Sequence, residues 1–309
     1  MERRRVGRFG ENDAVTAFAV PTKLAEFAAR DDQPEVAAWV RTLPALVPEL
    51  CERWELTVGA PYEPGGQCSW VAPATTRTGD AVVLKVGWRH EEAEHEAAGL
   101  RFWDGDGAAR LFADETFDST SAMLMERCEP GTMLARARPP LEQDEVIAGL
   151  LRRLWRRPPD GHPFRPLTSM CDFWADEFEE KLAAAAPGRV DPGIARAAMQ
   201  LMRSLPREST DQVVLCTDLH TENVLAAERE PWLVVDPKPY VGDRSYDALQ
   251  HMLNMDRLTK DPNRLLERMA DLLDLDRERL RRWLFARCVQ ESLGWDGFYD
   301  VALQVAPRG

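Results

Sequence analysis

Three oxygen-bearing side chains punctuate the stretch Val213-Val-Leu-Cys-Thr-Asp-Leu-His-Thr-Glu-Asn-Val-Leu225 and the following Trp232-Leu-Val-Val-Asp-Pro237. They are Asp218, Asn223 and Asp236. The apolar residues around them predict strand, loop, strand, turn and strand. Asp218 and Asn223 then share one short loop, and Asp236 ends the strand that pairs back onto it. That folding gathers a carboxylate base and two hard oxygen ligands. Mg²⁺ prefers oxygen ligands and usually keeps substrate phosphates in its shell. A base for a hydroxyl beside ligands for a metal-bound nucleotide is the set that phosphoryl transfer needs.

The stretch resembles the catalytic and metal loops of the kinase-like small-molecule phosphotransferases. Their usual motif is His-Gly-Asp-x-x-x-x-Asn, then a hydrophobic strand and an Asp. Cys216 and Thr217 stand here where that motif has His and Gly. The continuation Asp236-Pro-Lys-Pro-Tyr-Val-Gly-Asp-Arg-Ser-Tyr-Asp247 is similar to the aminoglycoside/hydroxyurea antibiotic-resistance kinases, the group that contains streptomycin 6-phosphotransferase. Leu43-Pro-Ala-Leu46, Arg53-Trp-Glu-Leu56 and Trp103-Asp-Gly-Asp-Gly107 carry the same resemblance, which therefore spans most of the chain.

The resemblance implies an α+β, bilobal protein-kinase-like fold. It would have a small β-rich N-lobe, a larger and mostly helical C-lobe, and a helical N-terminal extension. It implies an ATP- and Mg²⁺-dependent kinase that moves the γ-phosphoryl group to a hydroxyl of a small molecule, either a streptomycin-like aminoglycoside or hydroxyurea. Two other readings compete. One is a nucleotide-binding pseudokinase with a regulatory role; the other is a metal-dependent hydrolase built on Asp218, His220 and Asp236. A protein kinase is disfavoured, because no activation segment ending in Ala-Pro-Glu is present.

Within the resemblance, Asp218 accepts or orients the hydroxyl proton, and Asn223 and Asp236 hold Mg²⁺. His220 either stabilises charge in the reaction or hydrogen-bonds its own loop. Lys238 contacts phosphate, the loop or water. Asp243 and Asp247 are expected to brace the catalytic loop or to cap the helix from Tyr246. Cys216 cannot hydrogen-bond as the replaced His does, so another group must support the loop. A nucleophilic Cys216 is disfavoured, since no partner base is apparent and the preceding Val-Val-Leu predicts burial.

On the nucleotide side, Lys85 lies in an otherwise apolar predicted strand, where a charge needs a partner. The resemblance pairs it with Glu96 on the next helix, and Glu94 is the rival. Gly65, Gly66 and Ser69 lie where the resemblance puts a nucleotide-covering loop; a plain hairpin turn is the alternative. Glu126 and Cys128 fall at the expected adenine-facing hinge, contributing main-chain atoms. For the acceptor, the acidic helix Asp172-Phe-Trp-Ala-Asp-Glu-Phe-Glu-Glu180 either faces a cationic substrate or is solvated. Trp295-Asp296 is a second candidate.

The elements that must position these groups divide into three stretches. Residues 1–55 read as a helical extension, from Val20–Ala29, Asp32–Leu43 (stopped by Pro44) and Leu46–Trp54. Residues 56–127 read as a nucleotide-binding N-lobe. Its strands are at Glu55–Val58, Gln67–Ala72, Ala81–Val86 and Ser121–Glu126, with one helix over Arg89–Trp103. Residues 128–309 read as the catalytic and substrate-binding C-lobe. Its helices are expected at Glu142–Trp155, Ser169–Ala186, Pro192–Ser204, Tyr246–Met255, Arg264–Leu273 and Arg277–Val305, the last capped by Asp276.

Composition fits this reading. The 309 residues can bury one large core or two lobes. The net charge of −13 argues against nucleic acid, whose phosphates need Lys and Arg. It has the right sign for a cationic acceptor, although acidic proteins are common. No apolar run approaches the roughly 18 residues of a membrane helix. The basic start Met1-Glu-Arg-Arg-Arg5 is followed by polar residues, unlike a signal peptide. The six scattered cysteines form no CxxC pair, so a reducing cytoplasm is expected rather than a zinc site or disulfide framework. The pattern is silent on oligomeric state.

Overall fold

The structure, a computed structural model, describes residues 18–295 and 297–307. It divides into two compact units, residues 1–88 and 89–309.

The first unit begins with helices α1 (Thr22–Ala28), α2 (Pro34–Val40) and α3 (Leu43–Arg53). They bury Leu24, Val36, Trp39, Leu43, Val47 and Leu50. Pro44 does not stop the second helix. It lies in the first turn of α3, where its missing N–H has no helical partner to lose. Strands β1 (Leu56–Val58), β2 (Ser69–Thr76) and β3 (Ala81–Trp88) follow as an antiparallel run, with Val71 opposite Lys85. The segment before α1 is tied to this sheet: the Trp70 indole donates to the Ala19 carbonyl at 2.9 Å, and Phe18 stacks on the Trp70 ring.

The second unit opens with a 3₁₀ turn, Glu91–Ala93, and helix α4 (Glu96–Trp103). The single helix expected over Arg89–Trp103 is thus broken at His95, whose φ of −110° and ψ of 12° are not helical. Arg165 explains the break: its guanidinium binds both the carboxylate and the carbonyl of Glu91 and so holds the turn apart from the helix. Next comes a hairpin, β4 (Leu111–Phe117) with β5 (Thr120–Glu126). The sequence reading missed β4, a half-exposed strand containing Asp114 and Glu115 that pattern alone does not separate from a loop.

Helices α5 (Leu134–Ala137) and α6 (Pro140–Leu154) lead to β6 (Arg165–Pro166), α7 (Leu167–Ala184) and α8 (Pro192–Glu208). The segment around Asp218 supplies β7 (Gln212–Leu215), β8 (Val224–Leu225), β9 (Leu233–Val234) and β10 (Tyr240–Asp243). β10 runs between β6 and β7, and β8 pairs with β9 as a short hairpin. The strand, loop, strand, turn, strand order is therefore present. Gly242 lets β10 approach α7, because a Cβ there would lie 2.4 Å from Leu167 Cβ.

The chain closes with α9 (Arg244–Asp247), α10 (Leu249–Met252), α11 (Met255–Leu258), α12 (Pro262–Leu273), α13 (Arg277–Glu291) and α14 (Phe298–Gln304). The helix expected over Tyr246–Met255 is three short pieces. The one expected over Arg277–Val305 is two, interrupted before Gly297, whose φ of +94° a right-handed helix cannot hold. Asp276 caps α13, accepting from Arg279 N at 2.7 Å. One core joins α4, α6, α7, α8, α12 and α13 around β7 and β10, with Trp103, Phe178 and Trp283 fully buried. Among the described residues no helix is long and apolar enough to cross a membrane. All six cysteines are free.

Candidate active site

Tyr240 on β10 lies opposite Leu215 on β7, so the residues after Leu215 and those before Tyr240 emerge side by side. This register sets Cys216–Asn223 against Asp236–Pro239. Main-chain bonds lock the two segments: Lys238 N donates to Cys216 O at 3.0 Å, and Val235 N to Asn223 O at 2.9 Å. The Thr217 hydroxyl donates to the Lys238 carbonyl.

The loop is braced from beneath by Asp247. Its carboxylate accepts from Cys216 N at 3.0 Å, Thr217 N at 2.6 Å and the Trp155 indole at 2.9 Å. Burial pushes its pKa up to about 6, against the pull of those three donors. Asp247 thus does the bracing that Cys216 cannot. It acts on the loop's main chain, so it tolerates a change of side chain at position 216. The Cys216 thiol is fully buried, and burial raises its pKa well above the ordinary value, reinforced by the charges of Asp247, Asp218 and Asp236. That environment keeps it an inert thiol.

Thr217 adopts a left-handed backbone, φ +48°. A β-branched residue is strained there, at a cost of about 1–2 kcal/mol relative to a right-handed conformation. Its two hydrogen bonds, to Asp247 and to Lys238 O, offset that strain. Asp236 is also left-handed, φ +55°, at the turn out of β9.

Asp218 is held at the loop surface between two basic side chains. Lys238 Nζ lies 2.7 Å from its Oδ2, and His220 Nε2 lies 4.0 Å from its Oδ1. Burial would lower the Lys238 pKa, but the charges of Asp218 and Asp236 outweigh it and hold the ammonium above its usual range. His220 Nδ1 accepts from Glu222 N at 3.4 Å, so the ring also orders its own loop. Asn223 donates from Nδ2 to Asp218 O at 3.1 Å. Committing the amide nitrogen there leaves Oδ1 as the lone-pair donor. That oxygen and the Asp236 carboxylate are of the hard type that could hold Mg²⁺ bound through substrate phosphates. Among the described residues, no three His, Cys, Asp or Glu side chains gather as a metal-holding group.

Helix α4 is fixed to the same segment. A Cβ at Gly99 would meet Pro239 Cγ at 2.9 Å, so only glycine lets the helix rest on Pro239. Glu96, one turn earlier, is buried, whereas Glu94 is exposed. Lys85, also buried, belongs to β3 of the first unit. Gly65, Gly66 and Ser69 are also in that unit. Gly65 has φ +74°, and a Cβ on it would lie 2.5 Å from Pro21 Cβ, so packing against the start of α1 already requires a glycine.

At the end of β5, Glu126 is more than a main-chain contributor. Its carboxylate takes two bonds from Arg229, at 2.8 and 2.9 Å, and one from Arg110 N at 3.0 Å. Burial alone would raise its pKa; these donors hold it below the ordinary carboxylate value. Arg229 also donates to the carbonyls of Gly105 (2.7 Å) and Ala108 (3.1 Å). One guanidinium from the loop between β8 and β9 therefore clasps the end of β5 and the Gly105–Ala108 turn. Sequence reasoning missed it. The signal was the Trp103-Asp-Gly-Asp-Gly107 run, whose two glycines have φ of +80° and +78°. Cys128, beside Glu126, has a thiol that burial pushes up to about 12.

Three acids of the helix expected either to face a cationic acceptor or to be solvated pair with the neighbouring helix. On α7, Asp172 pairs with Arg207 of α8 at 2.6 Å, and Asp176 and Glu179 pair with Arg203 at 2.6 and 2.8 Å. Trp295 is well exposed, and Asp296 lies outside the described residues. Asp243 accepts from Ser245 N (3.0 Å), Arg279 Nε (2.7 Å) and the Trp283 indole (2.6 Å), which makes it a structural cap.

Residues 53–297 match the family model for the aminoglycoside/hydroxyurea antibiotic resistance kinases. The chain belongs to that family. It is 38% identical over 296 residues to a streptomycin 6-kinase of Streptomyces griseus, covering 93% of this chain and 94% of that protein. It is 34% identical over 302 residues to a hydroxyurea phosphotransferase of Kitasatospora aureofaciens, covering 95% and 82%. Solved structures share the fold at low identity. A choline kinase from Streptococcus pneumoniae has a TM-score of 0.57 at 14% identity, over 84% of this chain and 97% of that one. An aminoglycoside phosphotransferase from Streptomyces rimosus, in complex with ADP and streptomycin, has a TM-score of 0.53 at 18% identity, over 82% and 99%. The fold is thus the α+β, kinase-like one, and this family member is an ATP-dependent phosphotransferase acting on a hydroxyl.

Proposed function

We propose that the chain phosphorylates a hydroxyl of a streptomycin-type aminoglycoside, using Mg²⁺-bound ATP. The observation that carries this reading is Asp218, held between Lys238 and His220 beside the oxygen pair of Asn223 and Asp236. The acceptor class follows the relatives. The match to the streptomycin 6-kinase is closer and covers more of that protein than the match to the hydroxyurea phosphotransferase. Hydroxyurea is the competing acceptor.

In this reading Asp218 orients the acceptor hydroxyl and takes its proton as the phosphoryl group transfers. Asn223 and Asp236 would hold Mg²⁺, which when bound neutralises charge on the nucleotide phosphates. Lys85 would hold the α- and β-phosphates. The Gly65-Gly66 loop with Ser69 would cover them, and the main chain of Glu126 and Cys128 would meet adenine. The working division would be the extension 1–55, the nucleotide lobe 56–127 and the catalytic lobe 128–309. Positioning and charge neutralisation supply most of the rate in such a site.

The test is a Mg·ATP screen over streptomycin, other aminoglycosides, hydroxyurea and small alcohols, with mass detection of a product carrying one added phosphate. A streptomycin product supports the proposal. A product from hydroxyurea alone replaces the acceptor, and no product from any acceptor removes the kinase reading in favour of a nucleotide-binding regulator.

A further inference from the structure

We propose that Lys238 supplies the cation that meets the phosphoryl group in transit, a task for which His220 is poorly placed. This inference rests on the kinase reading above.

The geometry is specific. Lys238 follows Asp236 by two residues, yet its Nζ reaches Asp218 Oδ2 at 2.7 Å. Its main chain is fixed on both sides, through Lys238 N to Cys216 O at 3.0 Å and through the Thr217 hydroxyl to its carbonyl. Pro239 then packs against Gly99 of α4. The side chain therefore projects from a splinted segment, and its charged end lies in the fields of both Asp218 and Asp236. His220, in contrast, has one ring nitrogen accepting from Glu222 N and the other 4.0 Å from Asp218 Oδ1, on the opposite carboxylate oxygen.

An acceptor hydroxyl that hydrogen-bonds Asp218 lies about 3 Å from that carboxylate. Its oxygen, and the phosphorus it attacks, are then within reach of Lys238 Nζ. As the acceptor O–P bond forms, the bond from phosphorus to the β,γ-bridging oxygen breaks and its electron pair leaves with ADP. The hydroxyl proton passes to Asp218, and Lys238 keeps all of its own. Negative charge spreads over the three equatorial oxygens of the phosphoryl group in that state. A cation already in place lowers its energy without reorganisation at the moment of reaction.

A merely structural lysine would brace Asp218 and nothing more. The probe that separates the two roles is Mg·ADP with tetrafluoroaluminate, a planar mimic of the phosphoryl group in transit, which needs no acceptor. Lys238→Met is expected to leave Mg·ADP affinity within about threefold. It should weaken the tetrafluoroaluminate complex by about 10²-fold and lower kcat by about 10²–10³-fold. Lys238→Gln keeps a donor towards Asp218 without the charge, and serves if the methionine variant does not fold. It should behave like Lys238→Met, while Lys238→Arg should recover part of the loss. Equal tetrafluoroaluminate affinity in wild type and Lys238→Gln overturns the assignment, as does a wild type that binds Mg·ADP no tighter with the anion than without it. A missing phosphorylated product with a tight, Lys238-dependent anion complex would instead overturn only the choice of acceptor.

Discussion

Replacing Asp247 by alanine removes the acceptor for three buried donors at once: Cys216 N, Thr217 N and the Trp155 indole. Each buried donor left without a partner costs about 1–3 kcal/mol. One term opposes this loss. Asp247 is 1% exposed, and its pKa rises from 3.8 to about 6. Because its folded value lies above its unfolded one, the native state favours the protonated form. The group's contribution to stability is greatest below about pH 4, declines as pH rises to about 6, and is then constant at a cost of about 3 kcal/mol. At pH 8 alanine relieves that cost but strands the three donors, together worth about 3–9 kcal/mol, so the net loss falls within about 0–6 kcal/mol, centred near 3. For a chain of this size that corresponds to a fall in Tm of about 5–15 °C. Activity should fall more steeply, because the freed N–H groups belong to the residues just before Asp218.

The pH profile gives the sharper check. Below about pH 6 a protonated Asp247 turns one acceptor position into a donor facing other donors, and the loop loosens. The wild type should therefore lose kcat as pH falls through about 6, although this group then adds stability. Asp247→Asn, which cannot titrate, should have a lower plateau without that limb. Thermal melts and kcat from pH 5 to 9 measure both. An Asp247→Ala variant that melts within about 1 °C of wild type and keeps kcat within about threefold refutes the bracing argument.

Arg229→Ala should raise KM for ATP by about tenfold, with a smaller change in KM for the acceptor, because it frees the Glu126 end of β5; steady-state kinetics with each substrate varied will show it. Thr217→Val keeps the strained left-handed backbone but loses the hydroxyl bond to Lys238 O, so chemical denaturation should show a loss of about 1–3 kcal/mol; Thr217→Gly should stay within about 1 kcal/mol of wild type, strain relief offsetting the lost bond. Gly99→Ala puts a methyl 2.9 Å from Pro239 Cγ, and overpacking of about 1–3 kcal/mol should appear as a lower Tm with reduced kcat.

The strand and loop order around Asp218 was legible because its pattern is local. Asp218, Asn223 and Asp236 stand in one hairpin system, and alternating apolar residues reveal those strands. The brace was half legible: an aspartate at 247 was expected to support the loop, but its partners on Cys216, Thr217 and Trp155 lie far away along the chain. Arg229 was invisible for the same reason, since its partners at positions 105, 108 and 126 are joined only by folding. Helix ends were misplaced where tertiary contacts override periodicity, as Arg165 does at Glu91. The acidic face of α7 stayed open between solvent and a cationic ligand because, in sequence, acids that pair with Arg203 and Arg207 look like either.

The central claim, that Asp218 serves a hydroxyl acceptor beside a metal–nucleotide site, is tested most directly by one comparison. Wild type and Asp218→Asn, matched for folding by melting temperature, are incubated with Mg·ATP and streptomycin, and the product is weighed by mass spectrometry. The account predicts streptomycin carrying one added phosphate with wild type, and turnover lower by about 10²–10⁴-fold with the variant. Near-native turnover by a folded Asp218→Asn would contradict it.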